Sequence, residues 1–541
     1  MRPEKRISRR SLLSKLARIV AAAGGVSIAR NVEAKEAREL LSENSKETYR
    51  STPSVAKHSY QIAPWTGDDF TLGHKLRHKD FPRFPDSPDA KVDFVIVGGG
   101  AAGLAAAHYL EHENYLLLEQ YDELGGQSRG DVFNGLAFSY GSAQIADPLG
   151  ALGELLSTLD LKPVRLETTG ISWLWDSNWI SGTGDKDRGS LHREFKRLMK
   201  DAEPVWQHCK RGNVFAPLAD GQLVSLDNQP FSNCLTGYSR SFVELLDSYC
   251  KSALGAGTES VSALSGFAIL NNIGEGSYAL PGGNATIIRA LAQRLLKPGK
   301  DRVATKTFVW SIELRDDYSL VSYSGGDGVC HKVQCKHVII TTPHLVSARI
   351  LSNLNDRAKL QLFGFHYCSY LVATLLLKKS ILTGGYAHFV PPTFTFSELA
   401  VAETPYKLKG KYKADMGAAL TVLQPYAPAS NGRALLLAGD RESFVTSIVE
   451  QVAKISDGLN NNLERVILTR WGHALAVAGP GYFSKLNQLQ QAQGSTYSLA
   501  HSSAKGLPRI ESAVAAAQQA VGTARKIKSI PTKLYSTPGS S

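Results

Sequence analysis

A glycine-rich turn between a buried strand and a helix constrains this chain more than any other feature. Residues Val92–Val97 are mostly apolar and β-branched, as a buried parallel strand requires. Gly98, Gly100 and Gly103 follow as G-x-G-x-x-G, and the Ala/Leu-rich run after them is helical in character. This order of strand, glycine turn and helix predicts an α/β unit with a phosphate-binding turn.

The spacing has a physical reason at each glycine. The first permits a tight turn, the second lets the backbone approach a diphosphate, and the third lets the helix pack closely on the strand. The unpaired N–H groups at the helix N-terminus then favour phosphate oxygens. A second apolar run, Tyr115–Leu118, ends at Glu119, about twenty residues past the first glycine, where a carboxylate binds ribose hydroxyls. Together these features predict a dinucleotide cofactor.

The residues after Glu119 separate FAD from NAD. Leu124–Ser128 (LGGQS) resembles the G-G-R-x-x-S/T segment of the flavin-containing amine oxidase superfamily, which also includes phytoene desaturases and protoporphyrinogen oxidases. Ser139–Gln144 is similar to the family's glycine-rich turn beside the flavin ring. The resemblance therefore implies FAD. Gln127 stands where the family has arginine, so a positive charge usually near the cofactor phosphates is missing.

A second segment matches the family in the same order along the chain. Tyr278–Asn284 contains a P-G-G turn before a predicted helix that runs through Leu296. A short strand over Val303–Val309, a β-meander and an apolar strand over Val338–Pro343 follow. The resemblance implies that the backbone of Val309 binds the adenine end of the cofactor.

A third segment, Ser495–Val521, resembles the family's closing flavin segment. Glu511–Ala513 stands at the family's E-G-A, which implies that the N-terminus of the following helix lies at the flavin pyrimidine, where it would stabilise negative charge. The resemblance spans roughly residues 90–525. It implies an α/β fold with a Rossmann-like FAD-binding lobe built from three chain segments, plus an α+β substrate-binding lobe.

Carried over residue by residue, the resemblance gives a candidate cofactor-binding set. The set is Gly98, Gly100, Ala101, Ala102, Gly103, Glu119, Gln120, Gly126, Gln127, Ser128, Ser142, Ala143, Gln144, Val309, Ser503, Ile510 and Glu511. No cysteine stands where some family members attach FAD covalently. We therefore expect FAD to be bound without a covalent link.

The candidate catalytic residues lie near the end of the chain. Arg470–Ala474 and Pro480–Phe483 resemble the region that leads into the family's active-site aromatics, so Trp471 and Tyr482 are candidates to flank a substrate. His473 is either a neutral base or a structural residue bonded to the backbone.

A lysine that many amine oxidases place near flavin N5 is missing. Ser369 and Tyr370 stand at the start of the strand on which that lysine is expected, and Tyr370–Leu377 reads as a buried strand. Lys378 and Lys379 lie at its far end and are expected to be solvated. The absence argues against standard oxidase chemistry with O2.

The net charge and the cysteines exclude other classes of function. Residues 1–34 carry half of the formal charge of +12, and the remaining basic residues are scattered, so no nucleic-acid partner is expected. The six cysteines form no C-x-x-C or C-x-x-C-H motif, which argues against a metal site or attached haem. Cys330 and Cys335 are either partners across a hairpin or buried free thiols.

The N-terminus has the pattern of an export signal. Ser8–Lys15 (SRRSLLSK) resembles the twin-arginine motif S-R-R-x-F-L-K, and the apolar run that follows to Ala29 is too short and too polar for a membrane span. Val32–Ala34 fits a small-residue cleavage site. Because the twin-arginine machinery carries folded proteins, the resemblance implies FAD loading in the cytoplasm and function in the periplasm. The alternative is a basic amphipathic N-terminus without export meaning.

These observations predict a division of the chain into eight units. They are the signal 1–34, an arm or linker 35–90, FAD-binding segments 91–150, 276–349 and 490–526, substrate-domain parts 151–275 and 350–489, and a disordered tail 527–541. The arm is expected to be ordered only where Trp65, Phe70, Phe81 and Phe84 find a surface.

The implied activity is FAD-dependent oxidation of an amine, with hydride transfer to flavin N5. The twin-arginine start and Pro281–Arg289 are similar to bacterial polyamine dehydrogenases. Electrons would pass to O2, a quinone or a cytochrome. Two alternatives stay open: an apolar substrate, as in carotenoid desaturases and porphyrinogen oxidases, and a flavoprotein that has lost catalysis and serves as a binding partner.

Overall fold

A computed structural model describes residues 59–141, 143–182, 189–208, 214–218, 221–296, 301–382, 384–427, 429–491 and 493–528. The predicted export signal, the first part of the arm, Ser142, Cys209 and the tail from residue 529 lie outside these residues.

Strands of the described residues are numbered in chain order. They are β1 (Gln61–Ile62), β2 (Thr66–Gly67), β3 (Ala90–Val97), β4 (Tyr115–Leu118), β5 (Gly130–Phe133), β6 (Leu136–Ser139), β7 (Gln144–Ile145), β8 (Val164–Leu166), β9 (Ile171–Trp175), β10 (Asn178–Ser181), β11 (Ser277–Ala279), β12 (Val303–Ala304), β13 (Phe308–Leu314), β14 (Ser319–Ser324), β15 (Cys330–Ile340), β16 (Tyr367–Leu377), β17 (Ala387–Phe389), β18 (Glu398–Val401), β19 (Ala418–Tyr426), β20 (Leu463–Ala476) and β21 (Tyr497–Leu499).

Helices of the described residues are numbered in the same way. They are α1 (Thr71–His78), α2 (Ala101–Tyr109), α3 (Gly150–Thr158), α4 (Gly189–His208), α5 (Gly221–Asp227), α6 (Arg240–Leu254), α7 (Ala263–Ile269), α8 (Asn271–Glu275), α9 (Ala285–Leu295), α10 (His344–Ile350), α11 (Asp356–Phe363), α12 (Thr404–Leu408), α13 (Ala429–Ala438), α14 (Arg441–Ala453), α15 (Leu459–Asn462), α16 (Tyr482–Gln491) and α17 (Ile510–Lys528).

The described residues form a first sheet of seven strands, which takes strands from all three predicted FAD-binding segments. Its order is β12-β4-β3-β15-β14-β13, with β21 beside β15. Strands β12, β4, β3, β15 and β21 are parallel, whereas β13, β14 and the first half of β15 form an antiparallel meander. The α/β fold with a Rossmann-like lobe is confirmed.

Strand β15 holds this sheet together because it has two different partners on one side. Residues 330–335 pair with β14, and residues 338–340 pair with β21, while β3 lies along the other side. Val97, Leu118 and Ile340 therefore end β3, β4 and β15 at one edge of the sheet. Ligands of such sheets bind beyond the carboxyl ends of the strands.

A second sheet, mixed and of nine strands in the described residues, builds the other lobe. Its order is β1-β20-β16-β19-β18-β17-β9-β10, and β2 also pairs with β20. Strand β16 lies near its middle and is buried along its whole length, as predicted for Tyr370–Leu377. Lys378 and Lys379 beyond its end are exposed, as predicted.

The described part of the arm packs on both lobes and is more than a linker. Strands β1 and β2 pair in parallel with β20, and the ring of Trp65 packs edge-on against Phe444 at 6.1 Å. Helix α1 packs against α10, and the ring of Phe81 packs edge-on against Trp310 of β13 in the first sheet at 6.0 Å. The arm is held in place because its aromatic residues find apolar partners on both lobes.

The structure decides between the two alternatives for Cys330 and Cys335. Cys330 and Cys335 both lie on β15, opposite Ser324 and Ser319 of β14, so the pairing across a hairpin is wrong. Two residues five apart on one extended strand are too distant for a disulfide. The cysteines of the described residues are free thiols: Cys234, Cys250, Cys330, Cys335 and Cys368.

None of the helices in the described part of the chain combines the length and apolar character that a membrane span requires.

Gly103 tests how tightly helix α2 packs on the turn after β3. A Cβ atom at Gly103 would lie 1.8 Å from the carbonyl oxygen of Gly98, so Gly103→Ala must push the helix away. We expect the free energy of unfolding to fall by about 1–3 kcal/mol. Gly522→Ala in α17 is the matched control, because a Cβ atom there meets nothing within 4 Å. It should raise the free energy of unfolding by about 0.5–1 kcal/mol. Urea unfolding of both variants checks this, and equal effects would contradict the packing.

Candidate active site

One large cavity lies between the two sheets. Its volume is about 1740 Å³, well above the roughly 300–1,000 Å³ of ordinary small-ligand sites. The edge at which β3, β4 and β15 end supplies one wall, and the face of the nine-stranded sheet supplies another. A cavity of this size has room for a dinucleotide together with a substrate.

Most residues of the predicted site line this cavity. They are Gly98, Gly100, Ala101, Ala102, Glu119, Gln120, Gly126, Gln127, Ser128, Ala143, Gln144, Val309, Trp471, His473, Tyr482, Ile510 and Glu511. Gly103 lies in the helix behind the turn, and Ser503 is fully buried behind the wall. Ser142 lies outside the described residues. The individual roles of all these residues remain predictions.

The glycine turn has the shape of a diphosphate cradle. A Cβ atom at Gly126 would lie 3.2 Å from the Cα atom of Gly100, so two glycine turns pack against each other. Helix α2 begins at Ala101 and presents its first N–H groups at the cavity wall. The turn therefore fits the diphosphate of FAD.

Glu119 is buried at the end of β4. Its carboxylate accepts hydrogen bonds from the backbone N–H groups of Gly99 at 2.5 Å and Tyr121 at 2.9 Å. Burial raises the pKa of Glu119, and these bonds oppose the shift by stabilising the ionised form. The carboxylate is thus held beside the turn, in a position suited to ribose hydroxyls.

Thr341 is a residue of this edge that we did not predict as part of the site. Its hydroxyl donates to the carbonyl oxygens of Val97 at 2.9 Å and Gly98 at 3.1 Å, and it lines the cavity. It closes the gap between the ends of β3 and β15. The sequence signal that could have identified Thr341 was a polar residue directly after a predicted buried strand.

Val309 lies on β13, near the end of β4. The ladder between β13 and β14 shifts register between Val309 and Ser311, which interrupts regular pairing at that point. The N–H of Thr307 donates to the carbonyl oxygen of Glu119 at 2.8 Å. This bond ties the start of β13 to the ribose side of the cavity, as the predicted adenine contact requires.

Gln127 has a structural task in place of the family's arginine. Its side-chain amide donates to the carbonyl oxygen of His473 at 2.9 Å, which joins the first FAD-binding segment to β20. Arg129, two residues later, places its guanidinium over the rings of Tyr121 and Trp471, at 4.9 and 5.4 Å from their centroids. Both residues fasten the glycine turn to the second lobe.

The predicted aromatic residues present their rings to the cavity and have their polar atoms occupied. The indole N–H of Trp471 donates to the carbonyl oxygen of Tyr140 at 3.2 Å, and the hydroxyl of Tyr482 donates to that of Gly506 at 3.0 Å. Tyr370 lies directly opposite Trp471 across β16 and β20. The rings can therefore confine a substrate without taking part in proton transfer.

His473 is a poor general base in this environment. Burial, with added repulsion from Arg433 and Arg349, lowers its pKa to about 3. A base with so low a pKa takes up a proton weakly near neutral pH. The structural alternative is better supported, since the backbone carbonyl of His473 accepts the hydrogen bond from Gln127.

Glu398 is the residue that sequence reasoning missed. Val372, Leu423, Glu398 and Phe389 stand directly opposite one another on four neighbouring strands, so they share one face of the sheet. All four line the cavity. The sequence shows a glutamate at the start of an apolar run, but it does not show on which face of the sheet that side chain lies.

The surroundings of Glu398 leave its charge uncompensated. The hydroxyl of Ser252 donates a short hydrogen bond to its carboxylate, and burial raises its pKa to about 7. Tyr249 and Phe389 close the space beside it, with ring centroids 4.9 Å apart. A carboxylate in an aromatic cavity suits a cationic group.

Three histidines at or behind the cavity wall contribute stability that is lost in acid. Burial lowers the pKa of His344 to about 4 and that of His501 to about 3, and His473 shares this shift. Between the unfolded value of about 6.5 and these folded values, only the unfolded state binds the protons. The contribution of these histidines to the free energy of unfolding should therefore fall as pH drops below about 6.5.

In His473→Gln, the slope of the free energy of unfolding against pH should decrease by up to about 1.4 kcal/mol per pH unit. The exposed His112→Gln serves as the matched control and should leave the profile unchanged. Urea unfolding between pH 4 and pH 8 measures both. If His473→Gln and the native protein have the same slope over that range, the burial of a neutral imidazole at this position is contradicted.

Comparisons with known proteins agree with this geometry. Residues 101–513 match the family model of flavin-containing amine oxidoreductases, and no curated protein matches the chain by sequence. Among solved structures, cyclohexylamine oxidase from Brevibacterium oxydans IH-35A is similar with a TM-score of 0.65 and 17% identity, over 81% of this chain and 99% of that one.

Wild-type putrescine oxidase bound to putrescine is similar with a TM-score of 0.62 and 17% identity, over 81% and 99% of the two chains. A putative protoporphyrinogen oxidase from Exiguobacterium sp. 255-15 is similar with a TM-score of 0.58 and 17% identity, over 80% of this chain and 98% of that one. At these identities the likeness shows the fold. The family match covers most of the chain: the protein belongs to the flavin-containing amine oxidoreductases, and its cofactor is FAD.

Proposed function

We propose that the protein oxidises a diamine or polyamine and that Glu398 binds the ammonium group that does not react. The observation that carries this proposal is the buried, uncompensated carboxylate in the cavity, whose pKa burial raises to about 7. A cationic substrate supplies the missing countercharge and brings the carboxylate back to its ionised form.

FAD, when bound, would supply a hydride acceptor for the carbon next to the reacting nitrogen. The amine would react in its neutral form, so that loss of the hydride leaves a protonated imine and no further proton has to be removed. The chain's part is to hold that carbon in place and to exclude water. Tyr370 and Trp471 form an aromatic surface for the reacting end, and the hydroxyl of Tyr370 is held by the carbonyl oxygens of Lys251 and Ser252, both at 2.7 Å.

The sheet sets the distance between the two ends of the substrate. Tyr370 lies on β16 and Glu398 on β18, with β19 between them. Two strand spacings amount to about 10 Å. Trp471 lies one strand farther out, on β20, so a substrate that reaches from its ring to the carboxylate needs several methylene groups between its nitrogens, as diamines and polyamines have.

One further carboxylate on the cavity wall supports a cationic substrate. Glu259 lines it from the loop after α6, whereas Glu244 and Asp247 on α6 pair with Arg240 and Lys251. An apolar substrate, the first alternative, would favour a tunnel without carboxylates. Two structural neighbours, cyclohexylamine oxidase and putrescine oxidase, carry amines in their names and add support.

The electron acceptor is proposed to be a separate molecule: a quinone, a cytochrome or O2. Ser369 and Tyr370 occupy the start of β16, and the hydroxyl of Ser369 donates to the carbonyl oxygen of Gly472 at 3.0 Å. The lysines that line the cavity, Lys251 and Lys485, come from helices instead. An artificial acceptor is thus expected to support faster turnover than O2.

We also propose that the twin-arginine segment exports the protein, folded around FAD, to the periplasm. The support is the sequence of Ser8–Lys15 and the need to trap a cytoplasmic cofactor before transport. The polyamine would then be met outside the cytoplasm.

Glu398→Gln tests the substrate class. The holoenzyme is mixed anaerobically with butane- to hexane-diamines and with monoamines of the same length, and bleaching of the flavin absorbance is followed. The native protein should reach half-saturation at lower concentrations of diamines than of monoamines. In Glu398→Gln that preference should fall about ten- to a hundredfold, because the second ammonium loses a charged partner.

Glu244→Gln is the control, since Glu244 pairs with Arg240 at 2.8 Å near the mouth of the cavity. It should change the preference little. If no amine bleaches the flavin of the native protein, the amine activity is refuted, and reduction by dithionite alone favours a flavoprotein without catalysis. Bleaching without a preference for diamines refutes only the role of Glu398.

Arg9→Lys together with Arg10→Lys tests the export proposal. Cell fractionation should show the native protein in the periplasm and the double variant retained in the cytoplasm with FAD bound. Arg18→Lys, a matched change later in the same segment, should leave export intact. Periplasmic accumulation of the double variant would refute export by this route.

A further inference from the structure

Three arginines from three helices meet at one wall of the cavity. Arg77 lies on α1, Arg349 on α10 and Arg433 on α13, and all three line the cavity. Arg349 and Arg433 are partly buried, and Arg77 is exposed. Within the described ranges, no carboxylate lies at ion-pair distance from any of them.

This cluster is electrostatically unfavourable by itself. Burial lowers the pKa of Arg349 and of Arg433, and repulsion from Arg77 adds to both shifts. Like charges that share a poorly solvated wall repel one another, and a bound anion removes that repulsion. The arrangement is therefore more stable with an anion than without one.

Arg349 reaches back toward the glycine turn. Side chains of a helix tilt toward its N-terminus, and the guanidinium of Arg349 donates to the carbonyl oxygen of Leu345 at 3.1 Å, one turn earlier. Helix α10 begins just after Thr341, whose hydroxyl donates to the carbonyl oxygen of Gly98 at 3.1 Å. The start of α10 and the turn therefore lie side by side.

Arg433 comes from the second lobe and lies close enough to Arg349 for their charges to repel. Its Cγ atom lies 3.7 Å from the position that a Cβ atom of Gly472 would take. The next residue, His473, accepts the hydrogen bond of Gln127 through its carbonyl oxygen. Gln127 directly follows Gly126, which packs on the glycine turn at Gly100.

The acids nearby do not neutralise the cluster. Asp68 accepts a hydrogen bond from the N–H of Gly472 at 2.7 Å, and the positive charges that attract its carboxylate are those of Arg129 and Arg470. Glu119 is held by the N–H groups of Gly99 and Tyr121. The positive charge thus remains available to a ligand.

We propose that Arg349 and Arg433 bind the diphosphate of FAD and so replace the positive charge that is missing at Gln127. Arg77, which is exposed, adds to the positive electrostatic potential at this wall of the cavity. In this chain the counterion of the cofactor comes from two helices outside the glycine-rich segment. The proposal depends on FAD as cofactor and is independent of the amine substrate.

Arg349→Gln and Arg433→Gln, made separately, test this site by FAD binding to the apoprotein, measured by quenching of flavin fluorescence without any amine. Each variant should weaken FAD binding about tenfold. The affinity for riboflavin, which lacks the diphosphate, should not change. The thermal midpoint of each apoprotein should rise, because one repelling charge is gone. Weaker FAD binding with a more stable apoprotein cannot result from simple structural damage.

Rescue and control variants sharpen the test. Gln127→Arg in the Arg349→Gln background should restore most of the FAD affinity, because a charge returns beside the turn. Arg77→Gln, at an exposed position where folding is safe, should weaken FAD binding two- to threefold, by about 0.4–0.7 kcal/mol. Arg357→Gln, exposed on α11 and outside the cavity lining, should have no effect.

Two outcomes would overturn the proposal. One is unchanged FAD affinity in both Arg349→Gln and Arg433→Gln. The other is an equal loss of FAD and riboflavin affinity, which would show general damage to the cavity.

Discussion

The structure depends on the edge at which β3, β4 and β15 end together. Parallel pairing places Val97, Leu118 and Ile340 at one level, so the residues that follow them share a small space. That space exists only because glycines stand there: the helix behind the turn touches the carbonyl of Gly98, and a second glycine turn packs on the first. The diphosphate cradle, the ribose carboxylate and the start of α10 all follow from this close approach.

The cavity separates opposite charges onto different walls. Arg349 and Arg433 come from α10 and α13, and Glu398 lies on the sheet of the second lobe. Neither side is compensated by the chain, and burial shifts the pKa of each group toward its neutral form. An anionic cofactor and a cationic substrate would relieve both. Burial of these charged groups without oppositely charged partners links the fold to the proposed reaction. It leaves one wall of the cavity suited to an anionic ligand and another suited to a cationic one.

The sequence predicted the parts of the site that depend on neighbouring residues. The glycine turn, the acid at the end of β4 and the helix after Pro508 are local patterns, because a turn or a helix start is specified within a few residues. The structure of the arm was harder to predict from the sequence, because its two short strands form only against β20. The hairpin between Cys330 and Cys335 was wrong for the same reason: only the pairing of β14 with β15 fixes where the strand continues and where it turns.

By itself, the sequence determined the cofactor lobe: a chain with strand, glycine turn, helix and acid at these spacings has few other ways to satisfy its backbone and its phosphate-binding N–H groups. Only the tertiary structure decided the substrate wall and the arginine cluster. Glu398 joins Val372, Leu423 and Phe389 through the register of four strands, and Arg349 and Arg433 are 84 residues apart in the chain. Register and helix packing arise from burial of whole faces, and no short stretch of sequence encodes that.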